Sequence, residues 1–216
     1  MSPEAQKALT DIELMVSKAA ESHDTEAFAD ALRFSGEELA RFDNRWRKAH
    51  NARQSNVSDL QDLCALTVAH AQLLMEAEMD ADALMVAVFA MTAVAMENKS
   101  TDMSTDMFQL SAIACQALDR MANKLNSADE YTATHFNAIV TYCASMLYHW
   151  YRATLEHGQT PLHAEVTPLL RTLIRGNAVQ WPDVDVLGQK CSAASPAPIL
   201  GDLLGHCRAL GLAGDC

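Results

Sequence analysis

Residues 58–96 read SDLQDLCALTVAHAQLLMEAEMDADALMVAVFAMTAVAM. Ser58 with Gln61 makes a capping box. Leu63, Leu66, Ala69, Leu73 and Leu74 then recur at helical spacing. A second helix is expected to open at Asp80 or Asp82 and run to Met96. It is apolar all round, which predicts the most buried helix of the chain. Its uncharged part, Ala83–Met96, is 14 residues long, short of the ~20 that a bilayer requires. No strand-like alternation interrupts this stretch.

The same grammar extends outward. From Glu37 to His157 there are 121 residues without Gly or Pro, whereas seven of the 8 Gly and five of the 6 Pro fall from Gly158 onward. Long helices require such an absence, because Gly costs ~1 kcal/mol and Pro ~3 kcal/mol in a helix interior. Ser2 before Pro3 is a cap followed by a proline at the first helical position, and Leu9, Ile12, Met15, Val16 and Ala19 mark the face that follows. His23-Asp24-Thr25 is a turn. Phe28, Leu32, Leu39, Phe42 and Trp46 stripe a second helix, expected to break at Ser35-Gly36-Glu37-Glu38, where Ser35 and Glu38 fit a second box.

A fifth helix opens at Ser104 or Thr105 and carries Phe108, Ile113, Ala114, Ala117, Leu118 and Met121. Ser127 and Glu130 start a sixth, which ends at Gly158. Beyond it, Thr160-Pro161, Thr167-Pro168 and Ser195-Pro196 announce short helices. The expectation is an all-α chain of about six long helices plus short C-terminal ones. A long-helix body covers 1–157, and a segment covering 158–216 packs on it.

The formal charge is −12, which argues against non-specific binding to nucleic acid. It is unevenly distributed. Residues 41–53 carry five bases against one acid, and residues 54–119 carry ten acids against one base. This predicts a positive spot beside a broad negative field. The 6 cysteines form no CxxC pair, and no basic-then-apolar segment lies near Met1. Reduced thiols in a cytoplasmic protein are therefore expected.

Chemical signatures are sparse. No Glu has a His three residues later, and there is no HExxH, so neither a di-iron bundle nor a zinc helix is indicated. Cys191, His206, Cys207 and Cys216 cluster at the end without the spacing of a zinc knuckle. Glycine-rich phosphate loops are missing, as is a GxSxG elbow. No cofactor, metal or catalytic residue is assigned.

Three features invite a functional reading beside a structural one. Arg41, Arg45, Trp46, Arg47, Lys48 and Arg53 suit an acidic peptide or terminal carboxylate, since Arg bonds carboxylates bidentately. Equally, bases belong at a helix C-terminus and Trp46 continues the buried stripe. Tyr148-His149-Trp150-Tyr151, with Tyr142 and Arg152 nearby, must point around a helix; some of these rings cover core and some face a groove or partner. Seven Met between Met75 and Met107 suit either an adaptable surface or gap-filling core, and Met85, Met91 and Met96 are expected in the core.

Helix pairs starting near residues 3, 57 and 104 suggest stacked hairpins. Over Cys64–Ala95, Ala71, Leu74, Ala83, Ala87 and Ala90 occupy the small and large packing positions, and this stretch resembles a tetratricopeptide repeat. It departs from that family in having no leading Trp, Ala71 for the family's Gly, Leu74 for its Tyr and Ala95 for its closing Pro. The resemblance implies antiparallel hairpins stacked as an α-α superhelix; an irregular helical bundle fits the pattern as well.

The function these observations suggest is a non-catalytic helical module that binds a protein or peptide partner, with an acidic one suited to the segment from Arg41 to Arg53. Neither nucleic acid nor a membrane is expected, and a homo-oligomer is compatible with the pattern. The alternative is a small-molecule-binding bundle, a sensor or enzyme, with its pocket at Tyr142, Cys143, Tyr148 and His149.

Overall fold

A computed structural model describes residues 1–54, 56–97 and 104–125, and these are helical throughout apart from short turns. There are five helices among the described residues: α1 (Pro3–Ser22), α2 (Thr25–Asn51), α3 (Val57–Glu76), α4 (Asp80–Met96) and α5 (Ser104–Leu125). The expected sixth long helix, the short C-terminal helices and the 158–216 segment lie outside the described residues.

Local chemistry sets the helix starts. The Ser2 hydroxyl accepts from the Ala5 amide at 3.2 Å, with Pro3 in the first turn. The Asp24 carboxylate accepts from the amides of Glu26 (2.9 Å) and Ala27 (3.2 Å). Each satisfies donors that the helix itself leaves unpaired. On α3 the cap is Asn56, whose side chain accepts from the Asp59 amide at 2.8 Å, so the expected box at Ser58 and Gln61 is not used.

The glycine-free stretch turns its corners in an unexpected way. Helices commonly end on a left-handed residue, usually Gly. Here His23 (φ 52°), Arg53 (φ 56°) and Glu78 (φ 60°) take that conformation. Around each one the two backbone bonds of a Schellman turn are closed. At Arg53 its own amide donates to the His50 carbonyl at 2.9 Å, and the Gln54 amide to the Ala49 carbonyl at 2.8 Å. A side chain in this conformation costs on the order of 1 kcal/mol. Arg53→Gly is accordingly expected to raise the urea midpoint, by a gain of up to about 1 kcal/mol. A lower midpoint would show that the Arg53 side chain has a stabilising contact.

α2 does not break at Gly36; it runs unbroken for 27 residues. The Ser35 hydroxyl bonds back to the Leu32 carbonyl at 2.8 Å, and Glu38 pairs with Arg41, so neither acts as a cap. Gly36 instead faces α3, where a Cβ would lie 3.2 Å from His70 Cε1. The glycine marks a close approach of two helices, not a helix end.

α3 is the hub, packing against all four other helices. On one side Ala5, Ala8 and Ile12 of α1 meet Phe42 of α2 and Leu66 and Leu73 of α3, with Leu9, Val16, Phe28, Leu32, Phe34 and Leu39 closing around them. On the other side, buried residues of α3 (Leu63, Cys64, Leu74), α4 (Leu84, Val88, Met91) and α5 (Leu110, Ile113, Met121) continue the core. The small residues Ala71, Ala83, Ala87 and Ala90 are all buried, as close helix contact requires.

Some sequence expectations fail at the surface. α4 is not buried all round: Met85 is 37% and Phe89 39% exposed, because its neighbours α3 and α5 leave one face open. Phe108, placed on the α5 stripe, is 67% exposed. A uniformly apolar helix does not say which face is left over, and Phe108, two residues before buried Leu110, falls on the opposite side of α5 from it.

Polar clamps join the helices. Buried Asp80, at the start of α4, meets Arg120 Nε at 3.0 Å and Lys124 Nζ at 2.8 Å on α5. Trp46 Nε1 of α2 donates to Glu97 Oε1 at 3.2 Å, which His50 Nδ1 also contacts at 2.7 Å. No helix among the described residues is long and apolar enough to cross a membrane.

Candidate functional site

The basic segment from Arg41 to Arg53 is folded onto acids. Arg45 lies 3.1 Å from Glu4 on α1, 3.1 Å from Asp59 and 2.8 Å from Asp62 on α3. Arg41 pairs with Glu38 and approaches Glu4 at 3.8 Å, while Arg47 pairs with Asp43 at 2.7 Å. Trp46 is only 3% exposed. Arg41 and Arg45 also flank the ring of Phe42, at 4.7 and 4.6 Å from its centroid. Lys48 and Arg53 remain exposed. Counting charges in a sequence window missed this, because Glu4, Asp59 and Asp62 come from other helices.

A groove lies one face away. α3 forms its floor with Leu63, Thr67 and His70; α2 forms one wall with Gly36, Leu39, Ala40 and Asp43; α4 forms the other with Val86, Phe89 and Ala90. Its volume is about 350 Å³. At one end the walls are bridged where the Arg47 guanidinium stands 4.9 Å from the Phe89 centroid. Leu39, Val86 and Phe89 make the lining largely apolar.

Polar atoms in this groove are mostly engaged. The Thr67 hydroxyl donates to the Leu63 carbonyl at 2.8 Å, and Asp43 is held by Arg47. His70 Nδ1 lies 2.8 Å from the Ser35 hydroxyl. Since that hydroxyl gives its proton to Leu32, Nδ1–H is the donor, which leaves Nε2 as a bare acceptor. Ser35 is fully buried and already donating, so the pair lacks the arrangement of a nucleophile and its base. Sequence reasoning placed Ser35 and Gly36 at a helix break and did not single out His70; the lone Gly36 inside a helical pattern was the available signal of a close approach.

Burial holds the His70 pKa below the usual imidazole value of 6.5, with Asp82 pulling it back upward. A depressed folded value means stability that is intact above pH 6.5 and lost as pH falls through the folded pKa. His70→Gln is expected to flatten this part of the stability curve between about pH 7 and 5, as read by urea unfolding at each pH. An unchanged slope would show that His70 titrates as it does in the unfolded chain. Asp106 acts in the opposite sense: burial raises its pKa, so its contribution is present at low pH and lost on raising pH. Cys64, buried on α3, has its thiol pKa pushed up by burial and then by Asp106, which keeps it protonated and unreactive.

Among the described residues, no group of three or more His, Cys, Asp and Glu side chains is placed to hold a metal ion. Tyr142, Cys143, Tyr148 and His149, and the Cys191, His206, Cys207 and Cys216 cluster, lie outside the described residues. In comparison with known proteins, no family model matches the chain, and neither a curated protein nor a solved structure matches it.

Proposed function

We propose that this chain is a non-catalytic interaction module, built of antiparallel helical hairpins stacked in a tetratricopeptide-like way, that binds a peptide or partner helix in the groove between α2 and α4. One observation carries the reading. Phe89 stands 39% exposed on the wall of an apolar groove, on a helix whose other large residues are mostly buried. A ring left at the surface costs ~25 cal/mol for each Å² of apolar area kept in water, and a partner that covers it recovers that free energy. Tethering by α3, with α2 and α4 on either side, supports a preformed groove, which lowers the ordering cost of binding.

The Arg41 to Arg53 segment is the other surface to test. Arg41, Arg45 and Arg47 already hold acids of the same chain, so an incoming carboxylate competes with Glu4, Glu38, Asp43, Asp59 and Asp62. Lys48 and Arg53 are the bases it presents. A peptide array probed with the wild-type chain, with Phe89→Glu, and with the triple reversal Arg45→Glu, Arg47→Glu, Lys48→Glu separates the two surfaces. Loss of array binding in Phe89→Glu, with the helical circular dichroism unchanged, is the expected result. If Phe89→Glu binds as the wild type does, the groove is not the recognition surface.

A further inference from the structure

The groove's polar chemistry points to the kind of side chain it takes. His70 Nε2 is an acceptor without a partner among the described residues, and burial keeps the ring unprotonated at neutral pH. One wall carries a second feature of the same sense. Asp82 lies one turn before Val86, so it shares the groove-facing side of α4, and it is close enough to act electrostatically on His70. Asp82 makes no ion pair among the described residues, in contrast to Asp43, Asp59, Asp62 and Asp80, which all do. An acceptor nitrogen beside a carboxylate that has no ion-pair partner among the described residues attracts a cationic donor.

Resting on the groove reading above, we infer that the occupant is a peptide presenting an arginine, whose stem lies along Leu39, Val86 and Phe89 and whose guanidinium donates to His70 Nε2 beside Asp82. Arginine fits better than lysine. Its planar fork carries five donors, enough to serve the imidazole and the carboxylate together, and it is more weakly hydrated than an ammonium group. The groove already shows the compatible contact at its other end, where Arg47 stacks on Phe89. Charge at that end is balanced by Asp43, so Arg47 does not repel a second guanidinium. The acidic stretch of residues 54–119, which includes the floor and one wall, adds a field of the right sign.

The test uses the full 216-residue chain and three capped tripeptides, Ac-Leu-Arg-Leu-NH2, its neutral citrulline isostere and Ac-Leu-Glu-Leu-NH2. Binding is followed by NMR at the His70 Cε1–H and the Phe89 ring. The arginine peptide is expected to shift both, with a Kd on the order of 1 mM. Citrulline should bind roughly five-fold more weakly, the difference between a charge-assisted and a neutral hydrogen bond. Asp82→Asn should bring the arginine peptide down to the citrulline value with circular dichroism unchanged.

If citrulline binds as well as arginine, if Asp82→Asn changes nothing, or if the glutamate peptide binds more tightly at His70 and Phe89, the arginine assignment is overturned while the groove stands. If no peptide shifts either residue at roughly ten times that concentration, the groove reading falls with it.

Discussion

Phe42→Ala is expected to lower the free energy of unfolding by about 3–5 kcal/mol. Phe42 sits where three helices meet: it is 2% exposed and packs with Ala5, Ala8 and Ile12 of α1 and with Leu66 and Leu73 of α3. Truncation removes the ring's apolar area and leaves a cavity that helices capped and clamped at their ends cannot collapse into. It also releases Arg41 and Arg45 from the ring faces, a loss of about 0.5–1 kcal/mol for an exposed cation over an aromatic ring. Urea unfolding followed by circular dichroism measures the change. Phe42→Leu keeps most of the volume and is expected to cost less than about half as much. If the two variants are equal, the ring faces and not the packing dominate. A cost below about 1 kcal/mol for Phe42→Ala would mean that the α1–α2–α3 junction is not a cooperative part of the core.

Asp62→Ala is the second large effect, expected at about 2–4 kcal/mol. Asp62 is fully buried, accepts the Ser2 amide at 2.7 Å and meets Arg45 NH2 at 2.8 Å. Removing it leaves the half-buried Ser2 amide without its acceptor and takes away Arg45's closest acid. The cost stays below that of a wholly enclosed pair because Arg45 is 37% exposed and retains Asp59 and Glu4. The double variant Arg45→Met, Asp62→Leu removes both charges and should recover a good part of the loss, since apolar residues of similar size replace buried ion pairs without large penalty. A double-mutant cycle gives the coupling directly. Additive costs, with no coupling, would show that Asp62 acts through Ser2 alone.

These two residues show what was legible and what was not. The Phe42 stripe follows from residues spaced a helical turn apart, so its burial can be read from sequence. Asp62 reads as one more acid near the start of a helix, just beyond the first-turn Asp59, where acids are ordinary. Its burial depends on α1 and α2 arriving over it. Arg45 is the converse case: five bases in thirteen residues suggest a free positive surface, yet its partners are 41, 14 and 17 positions away. Gly36 looks like a break in a local reading and is instead the point where α2 meets His70. Asn56 and Ser58 both satisfy the rules for a cap, and in the structure it is Asn56 that accepts the Asp59 amide.

The groove was legible only in outline. Val86 and Phe89 belong to a segment so uniformly apolar that no periodicity marks an outer face, and His70 lies on another helix, 35 positions from Ser35 and 34 from Gly36. A pocket assembled from three helices leaves no spacing signature within any one of them.

The amino-acid sequence alone determined the helical class, the capped start at Ser2, the turn at His23-Asp24-Thr25 and the ends of α4 at Asp80 and Met96. These depend on hydrogen bonds and side-chain spacings within a turn or two, where neighbours in sequence are neighbours in space. Tertiary packing decided which bases meet which acids, that Phe89 faces outward, and that His70 turns a bare nitrogen into a groove. Those outcomes depend on contacts between separate helices, and the crossing of α3 with its four neighbours sets them all at once.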